Sequence, residues 1–242
     1  MTAYIFLGPT LAVEEAQCVL DAVYHPPVSQ GDVYRASLHH PSAIGIVDGS
    51  FEMVPAVWHK EILWAMTRGI HVFGAASMGA LRAAELAAFG MEGVGAIFEA
   101  YCRGFLEDDD EVAVRHGPAQ VGYRSQSEAM VNIRATLAAA EGAGVIAQST
   151  RLALERCAKE LYYPDRSYER LLSPATAPGV PPREIRALRA WLPAGRIDQK
   201  REDALAMLHL MRQRLEAGLE AKKTAYRFEH TTSWDRVVNA ER

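Results

Sequence analysis

The chain has 242 residues, of which 49% are hydrophobic and 23% charged, an ordinary globular composition with length enough for a sizeable core. No apolar stretch approaches the ~20 residues of a membrane span, and the first segment has neither a basic region nor a cleavage site, so a cytoplasmic location without a membrane partner is expected. A net charge of −4 with no basic stripe speaks against nucleic acid, and three scattered cysteines, Cys18, Cys102 and Cys157, speak against disulfides and structural metal.

In chain order, Tyr4 to Leu7 is a short apolar run closed by Gly8-Pro9-Thr10, after which Leu11 to Leu20 has helical spacing. Gly31 to Tyr34 fits a short strand or edge segment, and Ala43 to Val47 a buried strand ended by Asp48-Gly49. Ala56 to Thr67 predicts a helix stopped by Gly69, Ile70 to Phe73 a third strand, and Met78 to Phe89 a helix with Ser77 at its cap. Short apolar strands alternating with longer helices predict an α/β fold, a parallel sheet with flanking helices, over residues 1–122.

Residues 123–242 predict a helical region packing on that core or on a partner. Helices are expected over Ser127 to Glu141, Gln148 to Leu161, Arg183 to Trp191 and Gln199 to Leu219, with a proline-rich loop between Tyr163 and Pro182. Ala204, Leu208, Met211 and Leu215 form an apolar stripe that reads as core or as a partner seam.

Parallel sheets carry their reactive crevice at the carboxyl ends of the strands, where helix N-termini present free N–H groups. Three turns qualify: Gly8-Pro9-Thr10, Asp48-Gly49-Ser50-Phe51 and Gly74-Ala75-Ala76-Ser77-Met78-Gly79. The third resembles a nucleophile elbow, with Ala75 in place of the usual glycine and small residues on both sides of Ser77. Its alternative reading is a serine that only caps the following helix. If Ser77 attacks a carbonyl, the amides of Met78 and Gly79 are placed to hold the oxyanion.

The base would be a lysine. Lys60 stands on the first turn of a helix that runs back from the carboxyl end of the sheet, where Trp58 and Trp64 could desolvate it, and a solvated Lys60 paired with Glu61 or Asp48 is the alternative. Lys200 is a second candidate. Arg82 and Glu85, three apart on one helix, suit a local ion pair before a substrate contact. Glu107 to Glu111 is five acids in a row, which reads as a solvated turn. The glycine turn after the first strand lacks the nucleotide-binding patterns, and no cofactor is expected.

Val47-Asp48-Gly49 through Pro55, His59 to Leu63, the run Gly74-Ala75-Ala76-Ser77-Met78-Gly79-Ala80-Leu81-Arg82-Ala83-Ala84-Glu85-Leu86, Phe89-Gly90-Met91 and Asp109 to Ala113 together resemble the TfuA proteins. Gln199-Lys200-Arg201 with Asp203-Ala204 is similar as well. The resemblance implies partnership with a YcaO enzyme, which uses ATP to activate a peptide amide so that sulfur replaces its oxygen. It also implies hydrolysis of the C-terminal thiocarboxylate of a ubiquitin-like, ThiS-like sulfur carrier, by a Ser-Lys pair. Carried onto this chain, the serine is Ser77 and the lysine Lys60 or Lys200. Gly74, Ala75, Ala76 and Gly79 would line a narrow channel for the carrier's thin tail, with Asp48 and Arg82 as further substrate-binding residues. The precursor peptide would be reached through YcaO. The rival readings are a non-catalytic module that tightens YcaO for its peptide, a stand-alone serine hydrolase, and a sulfur relay through Cys18 or Cys102.

Overall fold

The computed structural model describes residues 1–50, 54–173 and 175–240. In chain order it contains β1 (Ala3–Phe6), α1 (Val13–Val19), β2 (Val23–His25), α2 (Asp32–Ser37), β3 (Ala43–Ile46), α3 (His59–Thr67), β4 (His71–Ala75), α4 (Met78–Leu86), β5 (Glu92–Val94) and α5 (Ala96–Cys102). There follow α6 (Met130–Gly142), α7 (Gln148–Glu160), α8 (Tyr168–Leu171), α9 (Pro182–Gly195), α10 (Gln199–Glu216) and α11 (Thr232–Ala240).

The strands form one parallel sheet in the order β2-β1-β3-β4-β5, with Phe6 opposite Ile46 and Ile46 opposite Gly74. This is a doubly wound order whose direction reverses between β1 and β3. Alternate residues of each strand point to opposite faces, so two apolar layers are needed. Phe6, Ile44, Ile46 and Val72 pack against Val33 and Ala36 of α2, Ile62 and Met66 of α3, and Ala83 and Leu86 of α4. Ile5, Leu7, Val47 and Phe73 pack against Ala16 of α1 and against Ala204, Met207, Leu208 and Met211 of α10. The stripe on the last long helix is therefore core. Gly45 in the middle of β3 makes room for it, since a Cβ there would lie 2.9 Å from the Met211 sulfur.

The chain divides into two compact units, Met1–Glu107 with Arg201–Arg242, and Asp108–Lys200, rather than at residue 122. The reason is the second face of the sheet: α1 alone leaves it half bare, and the apolar stripe that completes it arrives from residue 201 onward. Gly31 to Tyr34 is not a strand but the entry to α2, because Gly31 takes φ 92° and the Glu61 carboxylate accepts the N–H groups of Gly31 and Tyr34 at 2.8 and 3.3 Å.

In the second unit, Met130, Ile133 and Leu137 of α6, Leu154 and Ala158 of α7 and Leu188 of α9 form the core. The expected proline-rich loop holds α8, capped by the Ser167 hydroxyl, which accepts the Arg170 N–H at 3.2 Å; Pro174 lies outside the described residues. The acidic run is not a plain solvated turn. Buried Glu111 accepts Arg134 Nε at 2.9 Å and pairs with Lys159 at 2.9 Å, while buried Arg166 donates to the Asp110 carbonyl at 2.7 Å and pairs with its carboxylate. Burial works against ionisation of Asp110 and Glu111, yet the bonds from Lys159, Arg166 and Arg134 outweigh it and hold both carboxyls below their ordinary range.

Candidate functional site

The carboxyl ends of β1, β3 and β4 bring the three turns together, except for Phe51, which lies outside the described residues. At the reversal between β1 and β3 the Asp48 side chain, 1% exposed, turns back onto the first turn. Its Oδ2 accepts the N–H groups of Gly8 at 2.9 Å and Thr10 at 3.1 Å, and its Oδ1 accepts the Thr10 hydroxyl at 2.6 Å. The amides that would cradle a phosphate thus hold a carboxylate of the chain itself.

One strand further along, β4 passes into α4 through a tight bend. Ala76 has φ 65°, unusual for a residue with a side chain, and the Ser77 N–H donates to the Ala75 carbonyl at 2.8 Å across it. The bend is tight, but it departs from the expected elbow: the left-handed residue is Ala76 and not Ser77, whose φ is −114°, and the serine does not stand exposed at the apex. Ser77 is 2% exposed. Its carbonyl accepts the Ala80 and Leu81 N–H groups, and its hydroxyl makes no capping bond to α4, so the reading of Ser77 as a mere helix cap has no hydrogen bond behind it.

The glycines around it serve close packing. A Cβ at Gly79 would lie 1.8 Å from the Ile46 carbonyl oxygen, and one at Gly74 would lie 2.2 Å from the Gly79 carbonyl oxygen. On the Cβ side of Gly74 and Gly79 the space is taken by backbone and by the Met91 side chain. The Gly79 N–H donates to the Val47 carbonyl at 3.2 Å, which engages one of the two expected oxyanion donors. Met78, at the first position of α4, has no carbonyl within its own helix to bond, and its side chain fits over Gly49, where a Cβ would meet it at 2.6 Å.

Arg82 donates from Nε to the Val57 carbonyl at 3.1 Å and from NH1 to Glu85 at 2.7 Å, so the local ion pair is present, and His59 Nε2 stands 2.8 Å from the same Glu85 oxygen. Arg82 ties the start of α3 to α4. Lys60 is only partly buried and pairs with neither Glu61 nor Asp48. Its amine donates to the Glu229 carbonyl at 2.7 Å and the Thr231 hydroxyl at 3.0 Å, and lies 5.2 Å from the centre of the Phe228 ring. Among the described residues no hydrogen bond joins Lys60 to Ser77. Glu61 points inward instead, with its carboxyl pushed above the ordinary range by burial although three backbone N–H groups bond it.

Lys200 belongs to the second unit, is 4% exposed, and donates from Nζ to the Val112 carbonyl at 2.9 Å. Its N–H donates to Asn132 Oδ1 at 3.2 Å, and Asn132 Nδ2 bonds Glu128 at 3.1 Å and Asp198 at 3.0 Å. Three features were not found from the sequence. Thr10 completes the Asp48 site, Ala76 carries the strained bend, and Asp203 of α10 caps α5 by accepting the Ala96 and Ile97 N–H groups at 3.1 and 2.8 Å. A threonine after a glycine turn was a usable signal for the first. Neither of the others leaves a local pattern.

Fold and turns together define a doubly wound α/β protein with a buried serine after the strand next to its reversal point. No helix of the described residues is long and apolar enough to cross a membrane, and no three His, Cys, Asp or Glu side chains among them are grouped to hold a metal. The family model for TfuA-like protein matches residues 48–167, which contain the Ser77 bend, and over that stretch the chain belongs to the TfuA family. No curated protein matches the chain.

Proposed function

We propose that this chain serves a YcaO enzyme by releasing sulfide from the C-terminal thiocarboxylate of a ubiquitin-like sulfur carrier. The observation that carries the reading is Ser77: a buried serine on a bend held by a left-handed Ala76, its hydroxyl not used to cap the helix that it starts. The TfuA family, to which residues 48–167 belong, is associated with YcaO systems, and the thiocarboxylated carrier is the substrate class we propose within that association.

In this mechanism Ser77 Oγ bonds to the thiocarboxylate carbon while a lysine takes its proton, and the Met78 N–H stabilises the oxyanion. The C–S bond then breaks, sulfide leaves with the proton, and water hydrolyses the acyl-serine to free the carrier carboxylate and restore Ser77. Lys60 and Lys200 are the two amines carried into the proposal. Lys200 is the more buried of the two, with its amine donating to the Val112 carbonyl, and Lys60 stands on the first turn of α3. Ser77→Ala is expected to lower sulfide release from a thiocarboxylated carrier on the order of 10³-fold or more, with partner binding intact. Unchanged release ends the proposal. Lys60→Ala and Lys200→Ala, assayed alongside, assign the base.

A second reading, a docking module without chemistry, draws on the Gly79 amide being engaged and on the packed glycines. It predicts that Ser77→Ala supports full thioamidation in the reconstituted system.

A further inference from the structure

Beyond Gly218, which takes φ 85°, the chain leaves α10 and crosses the outer side of α3 without helix or strand until α11. From Ala221 to Glu229 its exposure alternates, with Lys222, Thr224, Tyr226 and Phe228 turned inward and the residues between them exposed. The segment is therefore extended, and it is held by separate anchors. At its base the Lys222 N–H donates to the Gly69 carbonyl at 2.8 Å and the Lys222 amine lies 3.4 Å from Glu92. Further on, the Tyr226 hydroxyl donates to the Leu63 carbonyl at 2.8 Å, and burial pushes its pKa up to about 12. Phe228 meets Trp64 edge-on at 5.2 Å, and Trp234, 1% exposed, sits between Tyr34, Trp58 and Trp64 at centroid distances of 5.5, 6.5 and 5.6 Å.

Both hydrogen bonds of the Lys60 amine, and the aromatic ring beneath it, come from this segment: the Glu229 carbonyl, the Thr231 hydroxyl and Phe228. We infer that residues 226–234 are a reversible latch, seated by Trp234, that immobilises Lys60 on α3 and frees its amine when it lifts. Lifting breaks few backbone bonds, because the hold is made by side chains of the extended strip and by Trp234 on the first turn of α11, and the Lys222 anchor keeps the strip tethered. The cost of opening is concentrated in Trp234, whose removal should therefore release the segment. The latch bears on turnover only through the reading above, in which Lys60 is one of the two candidate bases.

The test compares the wild type with Trp234→Ala and Thr231→Val. Limited trypsin cleavage after Arg227 reports lifting, and trace acetylation by acetic anhydride, read by mass spectrometry on the Lys60 peptide, reports the freed amine. Trp234→Ala is expected to raise both at least about tenfold with the far-ultraviolet dichroism retained, and Thr231→Val, which also removes the acceptor of the Trp234 N–H, to raise Lys60 acetylation a few-fold with less added cleavage than Trp234→Ala. Faster cleavage with unchanged Lys60 acetylation overturns the latch. If Trp234→Ala loses its dichroism, Thr231→Val decides: unchanged acetylation there overturns it as well. Sulfide release separates the two ideas. Raised acetylation with unaltered release keeps the latch and removes Lys60 as the base, whereas raised release supports both.

Discussion

Replacing Gly79 by alanine tests how α4 is seated on the sheet. The new Cβ would stand 1.8 Å from the Ile46 carbonyl oxygen, and carbon atoms in such positions keep at least 3.0 Å, so the start of α4 must move out by over an ångström. Backbone cannot swing aside as a flexible side chain does. Overpacking of this kind costs about 1–3 kcal/mol, and lifting the helix also breaks the Gly79 N–H bond to the Val47 carbonyl, about 1 kcal/mol more. We expect a loss of about 2–4 kcal/mol in urea denaturation and a fall of roughly 5–15 °C in Tm. Gly142→Ala is the control, since a Cβ there meets nothing within 4 Å, and it should stay within about 0.5 kcal/mol of the wild type. Because Gly74 and Gly79 face each other, Gly74→Ala with Gly79→Ala should cost less than the sum of the two. A Gly79→Ala protein within about 1 kcal/mol of the wild type would refute the close seating of the helix and the reasoning built on it.

Ala76→Gly removes the left-handed penalty of about 1–2 kcal/mol at the bend but adds about 0.5–1 kcal/mol of chain entropy, so thermal or urea unfolding should show a net gain of roughly 0.5–1 kcal/mol. The same variant should lower sulfide release if the rigid bend aims Ser77. For Glu61 the folded-state pKa is raised by burial, so its contribution is complete below the ordinary carboxyl value and is lost as pH rises through the raised value. Glu61→Gln should therefore compare less favourably with the wild type at pH 5 than at pH 8 in urea titrations, and a difference that does not change with pH would contradict the assignment.

The strands beside the site were legible because β3 and most of β4 are buried on both faces and read as short apolar runs, broken in β4 only by His71 and ended by turn residues. β2 and β5 escaped notice: each is three residues long, at an edge, and only partly buried, so neither shows an apolar run. The Ser77 turn could be found from its small neighbours, yet the same small residues proved to serve helix-to-strand contact, which sequence cannot separate from a substrate channel. Lys60 shows the other limit. Its partners lie about 170 positions further along in an extended strip whose period-two pattern is weak, and nothing local announces that the two meet. The acids at 110 and 111 likewise look solvated until Arg134, Lys159 and Arg166 are brought to them by the helices of the second unit.

The return of α10 to the first unit sets the timetable of folding. During synthesis β1 to β5 emerge early, but Ile5, Val47 and Phe73 present a greasy face that α1 covers only in part until Ala204, Met207, Leu208 and Met211 have left the ribosome. The whole of residues 108–200 is translated in that interval and can become compact first. A fragment stopped near residue 107 should accordingly stick to chaperones or to itself, and a usable isolated sheet domain would have to carry the stretch from Arg201 joined back by a linker.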